Sequence, residues 1–411
     1  MSTQSLVTLE FEQFVKAPPA QVFRAFTNAT SLREWMCDIA TVSPQPGGRL
    51  YLAWNAGFYA CGEYTQLEAE HKAGQEVPIA FTWYGRNEPA QTEVEVLLSA
   101  KDGGTQVKLT HRGLGEDQAW DTARQEIKEG WQSSLENLAS VLESGEDLRF
   151  TNRPMLGVLL NDFTPEHAKE LGVPVTQGVR IDDVVPGLGA QAAGLQSNDV
   201  LVGMAGHPIK DFPDFPVALR GKRAGDRVEV DFYRGSQKMS VLMELSRRPL
   251  PAIPTSTKGL ASVLRQRYLD LLTEIDEFFA NVSEAQAGYK PSPSDWSAKE
   301  VLAHLIHGER FQQFGVAELA TGFERQADGF GGNLNASVRA TVAAYPTLAE
   351  LLEALKRSYT ETVALFEELP EDFAENKGSF WRLAIGAMEA PYHFNSHLEQ
   401  MRQSIQAAGQ A

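Results

Sequence analysis

Two histidines near the C-terminus, His393 and His397, are four residues apart in a stretch with helical periodicity. On an α-helix this spacing places two imidazoles one turn apart on one face, where both can bind one metal ion. Metalloproteases that use this spacing have a glutamate directly after the first histidine as the general base. That position is Phe394 here, so the pair predicts metal binding without protease chemistry.

A third histidine ligand is available on an earlier predicted helix. That helix begins with a capping box, in which Ser297 is the N-cap and Glu300 stands three residues later. It carries His304 and His307, and in a bundle it can face the helix of the first pair. Three histidines leave a fourth coordination position open, which is the pattern of catalytic rather than structural zinc.

Other residues near the histidines bear on this prediction. Pro391 stands close to the pair, and a proline at this position can start or kink the helix. Three polar residues are candidates to hydrogen-bond the imidazoles and orient them. They are Glu309, Tyr392 and Asn395.

The elements that must position these histidines are helices. After a proline-rich linker at 249–257, which is expected to be stiff, strand signals disappear from the sequence. Amphipathic patterns predict helices at roughly 258–282, 297–320, 347–368 and 380–407. Four helices of this length favour an all-α four-helix bundle over residues 258–411.

This C-terminal segment resembles the DinB-like superfamily. The matching pieces are Trp296-Ser-Ala-Lys-Glu-Val-Leu-Ala-His304, Asn333-Leu-Asn335 and His393-x-x-x-His397. The resemblance implies a divalent metal, zinc or nickel, bound by His304, His393 and His397, with His307 as the rival of His304. Several relatives transfer low-molecular-weight thiols or use them in isomerisation or detoxification, so the implied enzyme is a metal-dependent thiol transferase.

Residues 1–147 have a different pattern, in which short helices and a run of alternating strands precede a long amphipathic helix. A curved antiparallel sheet that wraps such a helix can enclose a ligand cavity. The large side chains on the faces that would line it are Trp54, Phe81, Trp83, His111 and Trp131. The alternative is that these side chains simply fill the core, with His111 as a hydrogen-bonded core residue.

The first segment resembles the SRPBCC (START-like) superfamily, and more narrowly its AHSA-type branch, named for activators of a heat-shock chaperone ATPase. The matching pieces are Val15-Lys-Ala-Pro-Pro-Ala-Gln-Val-Phe-Arg-Ala-Phe26, Trp35, Pro46-Gly-Gly48, Leu109-Thr-His-Arg-Gly113 and Gly130-Trp131. The resemblance implies a helix-grip fold with a cavity for an apolar small molecule. A chaperone role is the weaker implication, because such activators carry a further chaperone-binding domain that we do not find in this sequence.

Residues 150–248 contain short β-rich runs separated by glycines at turn spacing. The order Met155-Leu-Gly-Val-Leu-Leu160, Val-Val-Pro-Gly187, Ala-Ala-Gly-Leu195, Asn-Asp-Val-Leu201 and Gly-Asp-Arg-Val228 resembles a PDZ domain of the type appended to bacterial trypsin-like proteases. The resemblance implies capture of a protein's C-terminal peptide. The carboxylate would lie in the loop Met155, Leu156 and Gly157, and the peptide would pair with the strand Val158, Leu159 and Leu160.

Two features of this middle segment limit the prediction. The helix facing the peptide would lie near 212–220, where Pro213 and Pro216 can shorten it or occlude the groove. The alternative is a scaffolding domain that only packs against its neighbours. No Gly-Asp-Ser-Gly or other serine-protease nucleophile motif occurs in the sequence, so we do not expect a protease.

Composition narrows the choice of partner and compartment. The formal net charge is -17 and no large basic cluster occurs, which disfavours nucleic acid and anionic membranes as partners. The chain has two cysteines, which favours a reducing compartment. We find neither a signal-peptide pattern nor 18 consecutive apolar residues, so the expected location is the cytoplasm.

The sequence therefore predicts a multidomain α+β protein with a helix-grip domain, a small β-rich PDZ domain and an all-α bundle. The predicted function combines a cavity for an apolar small molecule, a peptide groove and a three-histidine metal site that supports thiol transfer or detoxification. The alternative is a non-enzymatic adaptor that binds a ligand and a peptide, or a protein resembling a chaperone cofactor. No catalytic residue beyond the metal ligands is identified by the sequence.

Overall fold

The computed structural model describes residues 5–55, 57–68, 75–293, 295–324 and 334–409, apart from the side chains of 389–393 and 396. The chain divides into two compact units. The first unit joins Met1–Asp147 with Pro251–Ala411, and the second is Leu148–Leu250. The first and last segments of the sequence thus fold against each other, and the middle segment is a unit of its own.

The first segment forms an antiparallel sheet of seven strands in the order β1-β7-β6-β5-β4-β3-β2. The strands are β1 (Leu6–Val15), β2 (Ile39–Val42), β3 (Arg49–Ala53), β4 (Tyr59–Leu67), β5 (Val77–Gly85), β6 (Thr92–Lys101) and β7 (Gly104–Gly115). The helices are α1 (Pro19–Thr27), α2 (Ala29–Trp35) and α3 (Asp121–Ser144). Burial alternates along the strands, because successive side chains of a strand point to opposite faces.

The long helix α3 supplies the other side of this core. Its buried residues Ile127, Trp131, Leu135 and Leu138 recur at spacings of three and four, which keeps them on one helix face. They belong to one hydrophobic core with the inward faces of the strands. The helix-grip architecture predicted for this segment is confirmed.

The second unit is a β-rich domain whose sheet has the strand order β13-β12-β10-β9-β8, with β11 paired to β10. Its strands are β8 (Val158–Asp162), β9 (Val179–Val184), β10 (Val200–Met204), β11 (His207–Pro208), β12 (Arg227–Arg234) and β13 (Gln237–Glu244). Its helices are α4 (Leu148–Thr151), α5 (Pro165–Leu171), α6 (Gly189–Ala192) and α7 (Asp214–Ala218). The Arg234 guanidinium, which is partly exposed, donates to both oxygens of the buried Asp199, each at 2.8 Å.

The C-terminal segment is helical. Its helices are α8 (Thr257–Phe279), α9 (Glu284–Gly288), α10 (Ala298–Thr321), α11 (Leu334–Ala344), α12 (Leu348–Glu367) and α13 (Lys377–Ala408). The four predicted helices correspond to α8, α10, α12 and α13, and the predicted capping box of Ser297 and Glu300 is present. Helix α11 was not predicted, because its short sequence buries only Val338 and Thr341 and carries a weak periodic signal.

Helix α13 packs against α2 and α3 of the first segment. The Ser379 hydroxyl donates to Glu34, a buried carboxyl on α2. Close approach explains two glycines here. A Cβ on Gly378 would lie 2.7 Å from Glu34 Oε2, and one on Gly145 would lie 2.5 Å from the Lys377 carbonyl oxygen. Gly145 also ends α3 with φ of 85°, a left-handed conformation that favours glycine.

No helix among the described residues is long and apolar enough to cross a membrane. The two cysteines of the chain, Cys37 and Cys61, are free thiols. The predicted combination of a mixed helix-grip domain, a small β-rich domain and a helical domain is confirmed as the fold class.

Candidate functional site

The histidines of α10 and α13 are the first candidate site. The rings of His304 and His397 lie edge to face with their centroids 5.0 Å apart. The indole of Trp296 also packs against His304, with the two ring centroids 5.1 Å apart. Two histidines from different helices are therefore brought together by the packing of the bundle, although 93 residues separate them in sequence.

A hydrogen bond orients His397. Its Nδ1 lies 2.8 Å from Oε1 of Gln400, one turn further along α13. Because an amide oxygen only accepts, the imidazole donates from Nδ1, and its lone pair lies on Nε2. A partner of this kind fixes the tautomer and ring direction of metal-binding histidines in many proteins. Imidazole is a ligand type that zinc and nickel accept, so these two side chains have the chemistry that the predicted metal requires.

The structure gives less detail on the other two histidines predicted as ligands, His393 and His307. His393 lies within α13, one turn before His397, but its side chain is outside the described residues. His307 is half-buried on α10. Helix α13 runs from Lys377 to Ala408 and so passes through Pro391 instead of starting there. In the part of the chain that the structure describes, no group of three or more His, Cys, Asp or Glu side chains has metal-binding geometry.

Glu309 lies on α10 and is buried. The Tyr268 hydroxyl lies 3.2 and 3.3 Å from its two carboxyl oxygens, and the Thr362 hydroxyl lies 2.7 Å from Oε2. Burial raises the pKa of Glu309 to about 7, while these hydrogen bonds lower it. Asn395, another expected orienting residue, is exposed, and the Tyr392 side chain lies outside the described residues.

The aromatic residues expected to line a cavity in the helix-grip domain contact one another. Trp83 lies 5.6 Å from Trp131 and 6.5 Å from Phe81, measured between ring centroids. Trp54 is half-buried, and its Nε1 donates to the Met36 carbonyl oxygen at 2.7 Å. The role of these side chains in ligand binding stays a prediction.

His111 is buried within the same aromatic cluster and fully hydrogen-bonded. Trp131 Nε1 donates to His111 Nδ1 at 3.0 Å, so the ring proton lies on Nε2, which is 2.7 Å from Thr92 Oγ1. The Thr92 hydroxyl in turn donates to the Trp83 carbonyl oxygen at 3.1 Å. Burial lowers the pKa of His111 to about 4, so the imidazole is neutral at pH 7.

The predicted peptide groove starts at the loop before β8. Met155 exchanges two backbone hydrogen bonds with Ser246, both at 2.9 Å, and the Gly157 carbonyl accepts from the Val185 N–H at 2.9 Å. Gly157 has φ of 77°, and a Cβ there would lie 2.5 Å from the Leu188 Cβ. The backbone N–H groups of Leu156 and Gly157 make no hydrogen bond among the described residues.

Strand β8, which follows this loop, is the last strand of its sheet, so one of its edges pairs with no other strand of that sheet. Along it Val158 and Leu160 are half-buried against the core, whereas Leu159 points away and is 56% exposed. The predicted facing helix exists as α7, which is only five residues long and has Pro213 as its N-cap. The prolines thus shorten this helix, as expected.

Three family models match successive segments of the chain. Residues 16–143 match "Activator of Hsp90 ATPase homolog 1-like protein", residues 154–245 match the PDZ domain, and residues 266–401 match the DinB superfamily. The chain therefore carries an AHSA-type domain, a PDZ domain and a DinB domain in that order. The three resemblances read from the sequence are confirmed.

Curated relatives match part of the chain. A probable periplasmic serine endoprotease DegP-like of Marinomonas sp. is 30% identical over 98 residues, which are 24% of this chain and 21% of that protein. A probable periplasmic serine protease do/HhoA-like of Haemophilus influenzae is 26% identical over 165 residues, 36% of this chain and 32% of that protein. The chain thus spans between a fifth and a third of the length of these relatives.

Among solved structures, an Hsp90 activator from Plasmodium falciparum is 28% identical, with a TM-score of 0.28. The match covers 33% of this chain and 95% of that protein. The protein CalU16 from Micromonospora echinospora is 22% identical, with a TM-score of 0.26, over 32% of this chain and 80% of that one.

Sequence reasoning missed the polar residues that meet between α13 and the first segment. Glu34 and Ser379 are 345 residues apart. Arg382 donates to both oxygens of Glu324, at 3.0 and 3.1 Å, and Arg33 lies 3.3 Å from the same carboxylate. No local pattern marks these residues, because isolated charges on amphipathic helices are the usual signature of solvent exposure.

Proposed function

We propose that this protein binds the C-terminal ends of other polypeptides in the groove of its PDZ domain. The observation that carries the proposal is the open edge of β8, directly after a loop whose Leu156 and Gly157 N–H groups are unused among the described residues. A terminal carboxylate accepts hydrogen bonds from two adjacent backbone N–H groups, and the peptide then pairs with the free strand edge.

The groove favours apolar peptide side chains. Val158 and Leu160 are half-buried on the face of β8 that packs against the core, so alternate side chains of an added strand would contact apolar surface there. Helix α7 is short and supplies a small opposite wall. We therefore expect recognition of only the last few residues of a partner.

Fluorescence anisotropy with labelled octapeptides ending in Val, Leu or Phe tests the proposal in the full-length chain. We expect binding of peptides with a free carboxylate, and at least a tenfold weaker Kd for the same peptides with a C-terminal amide. Leu160→Thr should weaken binding at least fivefold, whereas the matched variant Leu159→Thr, on the opposite face of the strand, should not. Equal binding of acid and amide would refute carboxylate capture.

A second candidate function is metal-dependent thiol chemistry in the DinB domain, and it rests on the contact between His304 and His397. A zinc or nickel ion bound there would supply Lewis acidity that lowers the pKa of a thiol. Within the chain, His304 and His397 would hold the ion, Gln400 would orient His397, and His393 is the expected third ligand. The substrate would be a low-molecular-weight thiol and an electrophile.

Elemental analysis of untagged protein exposed to zinc and nickel tests metal binding. We expect about one equivalent of metal in the wild type and in His307→Gln, with a loss of most of it in His304→Gln and His397→Gln. Less than a tenth of an equivalent in the wild type would refute the metal site. Retention of metal in His304→Gln together with its loss in His307→Gln would assign the ligand to His307 instead.

A further inference from the structure

The groove of the PDZ domain continues along β8 to the end of that strand at Asp162. A carboxylate held at Leu156 and Gly157 lies at the start of β8, so the bound chain runs antiparallel to the strand. Its last residue then lies beside Val158, the second residue before the last beside Leu160, and the fourth before the last beside Asp162. The residues around Asp162 therefore decide which side chain is favoured four positions before the end of a partner.

Asp162 is an exposed residue whose side chain lies on the groove side of β8. Side chains alternate along a strand, so Asp162 shares a face with Val158 and Leu160, which pack against the domain core. The backbone N–H of Asp162 donates to Asn161 Oδ1 at 2.9 Å, but its carboxylate makes no hydrogen bond or ion pair among the described residues. Facing side chains of neighbouring antiparallel strands lie close enough to form ion pairs, so this carboxylate is available to a cation of the bound chain.

Two further aspartates lie at the same end of the groove, on the segment that leads into α7. The Lys210 carbonyl oxygen accepts from the Gly178 N–H at 3.0 Å, and the residue after Gly178 pairs with Asp162. This hydrogen bond holds the segment of Asp211 and Asp214 near the end of β8. Asp214 accepts from the Lys210 N–H at 2.7 Å, whereas the carboxylate of the exposed Asp211 has no partner in the described part of the chain.

Negative charge dominates this end of the groove. The segments 162–170 and 210–214 together carry five carboxylates against two lysines. The arginine nearest to them on β9 is Arg180, which lies opposite Asn161 and therefore on the other face of the sheet from Asp162. There it donates to Asp182 at 2.9 Å. A surplus of negative charge thus remains on the groove side.

The carboxylate end of the groove carries the opposite charge. Helix α7 leads directly into Arg220-Gly-Lys-Arg223, of which Arg220 and Lys222 are exposed. The Ala224 N–H donates to the Asn152 carbonyl oxygen at 3.2 Å, which brings this basic segment to the chain that leads into the carboxylate loop. The groove is therefore basic where a terminal carboxylate would lie and acidic at its far end. Charges arranged in this way favour a partner with the complementary pattern and fix its direction.

An aromatic side chain completes the acidic end. Phe212 follows Asp211 and is 40% exposed. Cations bind over aromatic faces, and the planar guanidinium of arginine can do so while it pairs with a carboxylate. We propose, on the basis that the groove binds C-terminal ends, that it selects chains with arginine, or less strongly lysine, as the fourth residue before the last. The cation pairs with Asp162 and Asp211, while the terminal carboxylate lies at the loop before β8.

Fluorescence anisotropy in the full-length chain tests the proposal with octapeptides that end in valine and differ only at this position. At about 20 mM salt we expect the arginine peptide to bind at least tenfold more tightly than the glutamate peptide, with the alanine peptide between them. At about 500 mM salt this ratio should fall below threefold, because exposed charges are screened. Moving the arginine one position toward the C-terminus should remove most of the gain, since its side chain then points to the opposite face of the added strand.

Substitutions in the domain locate the selecting residues. With Asp162→Lys, the glutamate peptide should bind at least as tightly as the arginine peptide, while the affinity for the alanine peptide stays within threefold. Asp211→Asn should lower the ratio of arginine to glutamate binding about threefold. The matched control is Glu229→Lys, at an exposed position of β12, which β10 and β9 separate from β8. It should leave the ratio within twofold of the wild type.

The peptide set also separates this inference from the peptide binding on which it rests. Equal binding of the arginine and glutamate peptides at low salt, with acids still preferred over amides, would overturn the charge selection and leave carboxylate capture intact. Equal binding of acid and amide, or no binding of either, would overturn both. A ratio that Asp162→Lys leaves unchanged would contradict the register that places the fourth residue before the last beside Asp162.

Discussion

Replacing Glu34 by glutamine will stabilise the unit formed by the first and last segments at pH 8. Glu34 is only 7% exposed, and its carboxyl accepts from Ser379 across the contact between α2 and α13. Desolvation by burial is the largest effect and raises its pKa to about 7, against an ordinary value of 4.5. This difference in pKa between the folded and unfolded states corresponds to about 3 kcal/mol of unfolding free energy.

The direction of the pH dependence follows from the raised pKa. Between pH 4.5 and about pH 7 the folded state holds a proton on Glu34 that the unfolded state has lost, so the unfolding free energy falls as the pH rises. The stability contributed by the protonated carboxyl is therefore fully present below pH 4.5. It is lost as the pH rises through about 7. Glutamine keeps an oxygen acceptor for Ser379 and carries no charge, so Glu34→Gln removes this pH-dependent loss.

Urea unfolding monitored by tryptophan fluorescence measures the effect. All seven tryptophans lie in the unit that contains Glu34, so the signal reports that unit alone. The difference in unfolding free energy between Glu34→Gln and the wild type should grow by about 2 kcal/mol from pH 5 to pH 8.

The control variant is Glu12→Gln, at an exposed position in the same unit, which should show no such growth. A difference between Glu34→Gln and the wild type that stays constant over this range would refute the argument. It would mean that the carboxyl does not titrate between pH 5 and pH 8 in the folded state.

Three further substitutions probe other buried contacts. Thr92→Val should lower the unfolding free energy by about 1–3 kcal/mol, because it removes the acceptor of a buried imidazole N–H, whereas Thr92→Ser should cost far less in the same urea titration. Gly145→Ala should lower the unfolding free energy by more than the roughly 1–2 kcal/mol that alanine costs in the left-handed conformation, because its Cβ would also meet the start of α13. Gly103→Ala is the control for the backbone cost, because Gly103 has φ of 78° and a Cβ there would meet no atom within 4 Å. Equal losses of unfolding free energy in the two alanine variants would refute the contribution of the close approach at Gly145. In the PDZ domain, Arg234→Gln removes the charged partner of the buried Asp199 carboxylate, to which the Gln196 N–H still donates, and should increase hydrogen exchange of β10 and β12 by the equivalent of about 1–3 kcal/mol. Arg227→Gln, which breaks an exposed ion pair, should change the same hydrogen exchange by the equivalent of less than about 1 kcal/mol. A similar effect of the Arg234 and Arg227 variants would contradict the role assigned to the burial of Asp199.

Much of the fold follows from local sequence patterns. The helices α8, α10, α12 and α13 begin within three residues of their predicted positions, because amphipathic periodicity and the Ser297 capping box act over one or two turns. The proximity of His304 to His397 was expected for the same reason, since two inward-facing helix stripes must meet in a bundle. Helix α11 was missed because a short helix with two buried residues has almost no periodic signal.

The remaining features depend on contacts between distant parts of the chain. A glutamate on a short helix such as α2 is normally exposed to solvent, and only the packing of α13 buries Glu34 against Ser379. Glu309 is likewise a charged residue type on α10, and tertiary packing buries its carboxyl against the hydroxyls of Tyr268 and Thr362. Burial and the pKa of a carboxyl are set by the whole surrounding volume, which no local pattern specifies.

By itself, the sequence determined the three domains, their order, the helices of the bundle and the histidines that meet in it, since hydrophobic period and turn chemistry act within a few residues. Tertiary structure alone decided that the first and last segments fold as one unit, and that the carboxyls of Glu34 and Glu309 are buried within it. Packing decides these features because it brings together side chains that are far apart in the chain and removes them from water.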